Sequence, residues 1–206
     1  MDNFEIIQQT RETLGQLVVI RYLSDELFSF NWWFLLAILI GTYVVWWKLI
    51  DKNRLMELLL FGSFIAVSVT FVEGFGTTIG LWGYKYKLVP VVPSLFPFDY
   101  TLIPILHLLT YQHTTSWKSY FITSTIVSAV YSFAFSPLLV WMGIMHIEHW
   151  RHYYHFIILL TISNLARFVL LAVIKRQFSA EGVSSKHLIS PVLQPATRPI
   201  DPPEKE

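Results

Sequence analysis

From Phe30 to Ile50 the chain reads FNWWFLLAILIGTYVVWWKLI, an apolar run with Trp32 and Trp33 at one end and Trp46 and Trp47 at the other. A helix crosses about 30 Å of hydrocarbon in about 20 such residues, and paired tryptophans mark the two interfaces. After the basic turn KLIDKNR, the run LMELLLFGSFIAVSVTFV from Leu55 predicts a second membrane helix. Gly74 to Tyr100 is rich in Gly and aromatics and is broken by Pro90, Pro93 and Pro97. That stretch predicts irregular backbone in the interface or tucked against the helices, because unpaired amides do not face lipid. A short third span is predicted over about Phe96–Gln112, a fourth over Tyr120–Met142 with a kink at Pro137, and a fifth over HFIILLTISNLARFVLLAVI, His155–Ile174. The pattern thus predicts an all-α, polytopic transmembrane bundle of about five spans.

Three segments follow. Residues 1–29 carry Phe4, Ile6, Ile7, Leu14, Leu17, Val18 and Val19 among charges and are expected to form an amphipathic helix, lying on the surface or partly inserted. Residues 30–176 are the helical domain. Residues 177–206, with Pro191, Pro195, Pro199, Pro202 and Pro203, are expected to be a disordered cytoplasmic tail.

Composition agrees with a membrane environment: 54% hydrophobic, 14% charged and a mean hydropathy of +0.50 are unlike a water-soluble domain. The absence of cysteine removes disulfides, thiolate metal sites and cysteine nucleophiles. A net charge of +1 favours no nucleic-acid partner. Charges at Asp2, Glu5, Arg11, Glu12, Arg21, Asp25 and Glu26 interrupt any signal-like apolar core, so no cleaved signal peptide is expected. Basic flanks at Lys48–Arg54, Lys118 and Lys175–Arg176 place the amino terminus outside and the carboxyl tail in the cytoplasm of a cell membrane, although Lys85, Lys87 and Arg151 fall on the outer side.

Polar residues inside the spans carry the candidate chemistry. Ser124, Ser128, Ser132 and Ser136 recur every fourth residue, which suits close helix packing or a hydroxyl-lined path. Ser63, Ala66, Thr70 and Glu73 form a second stripe, expected to face the bundle interior. Glu57, His107 and Arg167, with Asn164 one turn from Arg167, reach similar depths and form an expected inner polar tier. The alternative is that Arg167 and Glu57 extend to the inner headgroups. Glu73 and Asp99, at the opposite ends of their spans, form an expected outer tier with Lys85, Lys87 or the histidines.

Those histidines stand in HIEHWRHYYH, residues 146–155. A three-residue interval turns about 60° per step on a helix, so all four cannot share a face, whereas Glu148, His152 and His155 can. That trio has ligand types suited to zinc, but no second ligand box or HExxH order accompanies it. With Trp150, Tyr153 and Tyr154 alongside, the segment is read as an aromatic membrane edge, with no metal and no cofactor expected.

From about Leu49 to Ile174, the succession DKNRLMELLLFG, IGLWGYKYKLVPVVPSLFPFDYTLIPILHLLTYQ, TSWKSYF, SPLLVWMGI and EHWRHYYHFI resembles a family of small uncharacterised multi-pass membrane proteins of Bacillus-like, spore-forming bacteria. The resemblance implies architecture and a place in the cell membrane, and no catalytic residues. Glu73, Gly76, Gly80, Gly83, Tyr84 and Tyr86 are also similar to a patch in membrane carotenoid-modifying hydratases. That likeness implies Glu73 and Asp99 as an acid pair beside an isoprenoid groove. The leading expectation is a non-enzymatic structural, sensory or assembly role, with the lipid bilayer and a membrane-protein partner or second copy as neighbours. The alternatives are a small-solute or ion-coupled carrier using Glu57, His107 and Arg167, and an isoprenoid-modifying membrane enzyme using Glu73 and Asp99.

Overall fold

Near the amino terminus, the Asp2 N–H donates to the Glu5 side chain at 3.0 Å and closes the start of helix α1, Asn3–Arg21. The helix forms as expected, but its apolar side chains wind around the axis and none is buried. Steps of 100° put Phe4 and Ile20 about 160° apart with Val19 between them, and Ile6, Ile7, Leu14 and Leu17 on the other side, so the apolar positions do not keep to one narrow face. A π-helical turn, Tyr22–Glu26, leads to helix α2, Phe30–Leu49, capped by Ser29 accepting from the Trp32 N–H at 3.2 Å.

Helix α3, Leu55–Thr78, starts immediately after the Lys52–Arg54 turn and buries Leu58, Phe61, Ile65, Val69 and Glu73. The expected interior stripe through Ser63, Ala66 and Thr70 is therefore displaced. Ser63 is exposed, and only Glu73 of that set is fully buried. Large apolar side chains claim the interior face, because burying them releases more free energy than burying a hydroxyl.

The glycine- and aromatic-rich segment is more ordered than its composition suggests. Strand β1, Trp82–Tyr84, pairs antiparallel with strand β2, Met145–Ile147, so that Gly83 faces His146. This small ladder ties the end of α3 to the beginning of the histidine stretch. Gly76 is what lets Trp82 in: a Cβ there would lie 2.0 Å from the Trp82 ring.

The predicted third span is a π-helical turn, Phe98–Leu102, continued by helix α4, Ile103–His113. It is buried on nearly every side. At one end Gln112 donates to the Leu49 carbonyl at 2.8 Å and accepts from the Asp51 N–H at 2.9 Å. At the other end Asp99 is within electrostatic reach of Glu73. The segment thus runs antiparallel to α3 for most of its length, at the centre of the bundle.

Helix α5, Trp117–Val130, widens into a π-helical turn, Tyr131–Phe135, and continues as helix α6, Ser136–Trp141. The break expected at Pro137 takes this form. Pro104 and Pro137 each lack the N–H that would bond four residues back, and in both helices the turn just before the proline opens. The wide turn also affects the serine ladder. A fourfold spacing drifts about 40° per step on a regular α-helix, and a turn with more residues per revolution winds that drift back. All four serines are 0% exposed.

Helix α7, His152–Ala180, closes the chain described by the computed structural model, which covers residues 2–180. It begins six residues after His146, so the histidine stretch is part strand, part turn and part helix rather than one helix. It also extends four residues into the segment expected to be a tail; the rest of that expectation, 181–206, lies outside the described residues. Among the described residues, four helical stretches are long and apolar enough to cross a membrane: Phe30–Leu49, Lys52–Thr78, Trp117–Trp141 and His152–Gln177. The chain is mostly helical and compatible with a membrane protein.

Candidate functional site

The bundle has a strand end, at β1 and β2, and a turn end, at Asp51–Arg54. Polar side chains collect near both.

At the strand end, Glu73 on α3 is 4% exposed and Asp99 in the π-helical turn before α4 is 0% exposed. The two carboxyls expected to form a tier do lie within electrostatic reach of each other. One oxygen of Glu73 accepts from Trp82 Nε1 at 2.8 Å and from the Tyr84 hydroxyl at 2.8 Å. Burial, reinforced by Glu73, holds the Tyr84 phenol well above its ordinary value, so it remains a donor. Asp99 differs: both its carboxyl oxygens are enclosed, no side chain bonds them, and the Leu95 N–H is the one donor close enough to favour its charge. A buried polar atom left this way costs free energy comparable to a lost hydrogen bond or more.

His155 on α7 completes the centre. It is 6% exposed, and its Nδ1 is also without a partner. Its ring packs 5.3 Å from Trp82, 5.6 Å from Trp150 and 6.5 Å from Tyr131. His155, Tyr131 and Glu73, together with apolar Val69, Ile103 and Leu159, line a cavity of about 20 Å³. That volume admits about one water molecule. Two of the three π-helical turns contribute here, one through Asp99 and the other through Tyr131, and such turns are frequent at functional sites. Lys87 approaches from the loop after β1, within electrostatic reach of Glu73 and Glu26. Burial lowers its ammonium from the ordinary value, and its Nζ donates to the Val92 carbonyl at 3.0 Å.

The metal candidates Glu148, His152 and His155 separate. Glu148 bonds His146 at 2.7 Å, His152 Nδ1 meets the Ser136 hydroxyl at 3.0 Å, and His155 points inward. Their shared face required a continuous helix, whereas Glu148 stands just beyond β2. Among the described residues no three His, Asp or Glu side chains gather closely enough to hold a metal ion.

At the turn end, the expected inner tier of Glu57, His107, Asn164 and Arg167 does not form one cluster. Glu57 pairs with Arg54 at 2.8 Å and accepts from the Tyr111 hydroxyl. Asn164 donates to the Leu160 carbonyl at 2.8 Å. His107 bonds the Ile103 carbonyl at 2.9 Å and Ser128 at 3.3 Å. Arg167, 0% exposed, does not extend to a headgroup. Its guanidinium lies 4.5 Å from the Tyr120 ring, 4.9 Å from Trp117 and 5.8 Å from Tyr111. It also donates to the Thr115 carbonyl at 3.0 Å and to Thr114 at 3.4 Å. Aromatic faces stand where a carboxylate partner was expected, since a ring quadrupole attracts a desolvated cation.

Sequence reasoning did not identify Trp82, Tyr84 and Tyr131 as partners of the acids, or Tyr111, Trp117 and Tyr120 as the arginine's enclosure. Tyr111 and Tyr120 sit four residues from His107 and Ser124, a spacing that helical periodicity exposes only once the interior faces are known. The chain matches no protein-family model, no curated protein and no solved structure.

Proposed function

We propose that this is a cell-membrane protein with a non-enzymatic, sensory role, whose responsive element is the Glu73–Asp99–His155 centre and whose ligand there is a proton. One observation carries the reading: an enclosed aspartate, with no donor near it but the Leu95 N–H, lies within electrostatic reach of a second carboxyl, and that carboxyl lines one small cavity with an imidazole whose Nδ1 is unpartnered. Titratable groups enclosed close together exchange protons more readily than they sustain separated charges. The adjoining cavity of about 20 Å³ is far too small for an isoprenoid, which weighs against the enzyme reading. Dispersal of Glu57, His107 and Arg167 removes the shared site on which the carrier reading rested.

In this proposal the chain crosses the bilayer five times, the central Phe98–His113 segment being the short crossing. The strand end faces outside, and the protein is one of the small multi-pass membrane proteins of Bacillus-like bacteria that it resembles. The antiparallel run of the central segment beside α3 supports the count, and the basic flanks support the orientation. Helix α1, with its apolar side chains uncovered, lies at the outer surface.

Single cysteines placed at Asn53 and Ser185 are expected to escape an impermeant thiol reagent in intact cells, while one at His149 reacts. The reverse pattern refutes the orientation. For the centre itself, infrared difference spectra recorded across a pH titration of the purified protein are expected to show a protonated-carboxyl C=O band. The band should disappear or shift in Asp99→Asn or Glu73→Gln. A band unchanged in both variants, or none in the wild type, overturns the proton-binding role.

A further inference from the structure

The serine ladder does more than pack helices: its groups connect the surface at the strand end with the middle of the bundle. Ser136 bonds the partly exposed His152 on α7 at 3.0 Å. Two turns along, Ser128 bonds His107 on α4 at 3.3 Å, and His107 is 1% exposed. Between them Ser132 is fully buried with its hydroxyl unpartnered. Tyr131, the residue before Ser132, lies within electrostatic reach of Asp99 and 6.5 Å from the His155 ring, whose enclosed Nδ1 is also unpartnered. Two histidines therefore terminate a file of hydroxyls whose central member has a free hydrogen-bonding position.

Beyond His107 the file stops. One turn further along α4, Tyr111 stacks on Phe61 at 4.6 Å, and Tyr120 on α5 closes edge-on against both at 6.4 Å. The Tyr120 hydroxyl is taken up by Ser163, at 2.6 Å from its Oγ and 2.8 Å from its carbonyl oxygen. Ser124, the fourth rung, turns back to the Phe121 carbonyl at 3.1 Å and continues no path. Behind the rings stands the buried Arg167 guanidinium, 4.5 Å from Tyr120. A fixed cation across a narrow route raises a barrier to any positive charge, the means by which some channels exclude protons.

We infer that His152, Ser136, Ser132, Ser128 and His107 form a blind proton path, open at the strand end, feeding the acid centre and closed at the turn end by Tyr111, Tyr120 and Arg167. The inference rests on the proton-binding role proposed above and adds a route and a sidedness to it. Serine hydroxyls donate and accept at once, so each can take a proton on one side and release one on the other. Successive rungs are about 6 Å apart at 1.5 Å per residue, an interval that a single bridging water spans. In each transfer an N–H or O–H bond breaks as the next forms. The net change is one proton removed from the outside water and held among Asp99, Glu73 and His155. Tyr84 on β1, Tyr131 on the α5–α6 turn and Lys87 on the loop are the other titratable groups facing that centre, with His152 at its mouth and His107 at its blind end.

The test measures how fast the carboxyl C=O band of the centre shifts when the protein is moved from H2O into D2O. In Ser132→Ala and Ser136→Ala the exchange is expected to slow about tenfold or more, as it would if roughly 1.4 kcal/mol were added to the transfer barrier. In Ser124→Ala it is expected to stay at the wild-type rate. A band that is present but exchanges at one rate in all three variants overturns the path while leaving the proton-binding role standing. Loss of the band from the wild type removes that role first. In vesicles containing an internal pH dye, the wild-type protein is expected to add no proton leak to that of empty vesicles, because the path is blind. A leak in the wild type that Ser132→Ala abolishes overturns the closed end.

Discussion

Arg167→Ala is expected to lower the unfolding free energy in detergent by about 3–5 kcal/mol, the range for emptying a large, fully enclosed side-chain site. The loss combines three cation–π contacts, worth about 0.5–2 kcal/mol each, with the bonds to Thr114 and Thr115 and the cavity left among Tyr111, Trp117 and Tyr120. Arg167→Met should be much milder. It keeps most of the volume, and removing a buried cation that lacks an adjacent carboxylate recovers its desolvation cost. The same geometry predicts that Glu57→Gln and Arg167→Gln couple by no more than about 1 kcal/mol, because Glu57 is held by Arg54 and the two meet only through Tyr111, whose hydroxyl bonds Glu57 and whose ring faces Arg167. Thermal unfolding of the single and double variants decides the matter. A coupling well above about 1 kcal/mol would mean that the two charges are direct partners.

Gly76→Ala is expected to cost about 1–3 kcal/mol although it adds one methyl group, because overpacking a filled core forces side chains off their rotamers. The new carbon would sit 2.0 Å from one atom of the Trp82 ring and 2.3 Å from another. The ring has little freedom to retreat. It lies 4.8 Å from Trp150, and its Nε1 is bonded to Glu73 at 2.8 Å. Gly74→Ala, on the same helix with open space around the position, is expected to be neutral or to stabilise by up to about 1 kcal/mol through helix propensity. Equal effects of the two substitutions on the unfolding temperature would show that Trp82 does not pack on Gly76 as described. If Gly76→Ala also alters the carboxyl infrared band, the displacement has reached Glu73.

Long apolar runs were legible without any structure, because a span is specified by length and composition within one segment. FNWWFLLAILIGTYVVWWKLI, all but its last residue, and HFIILLTISNLARFVLLAVI lie within helices of the expected kind. Depth was legible as well. At 1.5 Å per residue, position along a span is position across the bundle, and so Glu73 and Asp99 were placed at one level from opposite ends of their helices. Depth does not determine azimuth. Glu57, His107 and Arg167 share a level approximately, yet they turn to different neighbours, and which neighbour each meets depends on how α3, α4, α5 and α7 rotate against one another. That rotation is decided by packing: Gly62 against Leu108, Gly76 against Trp82, and the wide turns before Pro104 and Pro137. The pairing of Trp82–Tyr84 with Met145–Ile147 joins segments about sixty residues apart, and neither strand is long enough to show an alternating pattern of its own. Local pattern therefore determined the helices and the levels of their polar residues. Only the tertiary structure decided which of those residues meet, because contact depends on the rotation and register of whole helices, set by the sum of many side-chain fits rather than by any one segment.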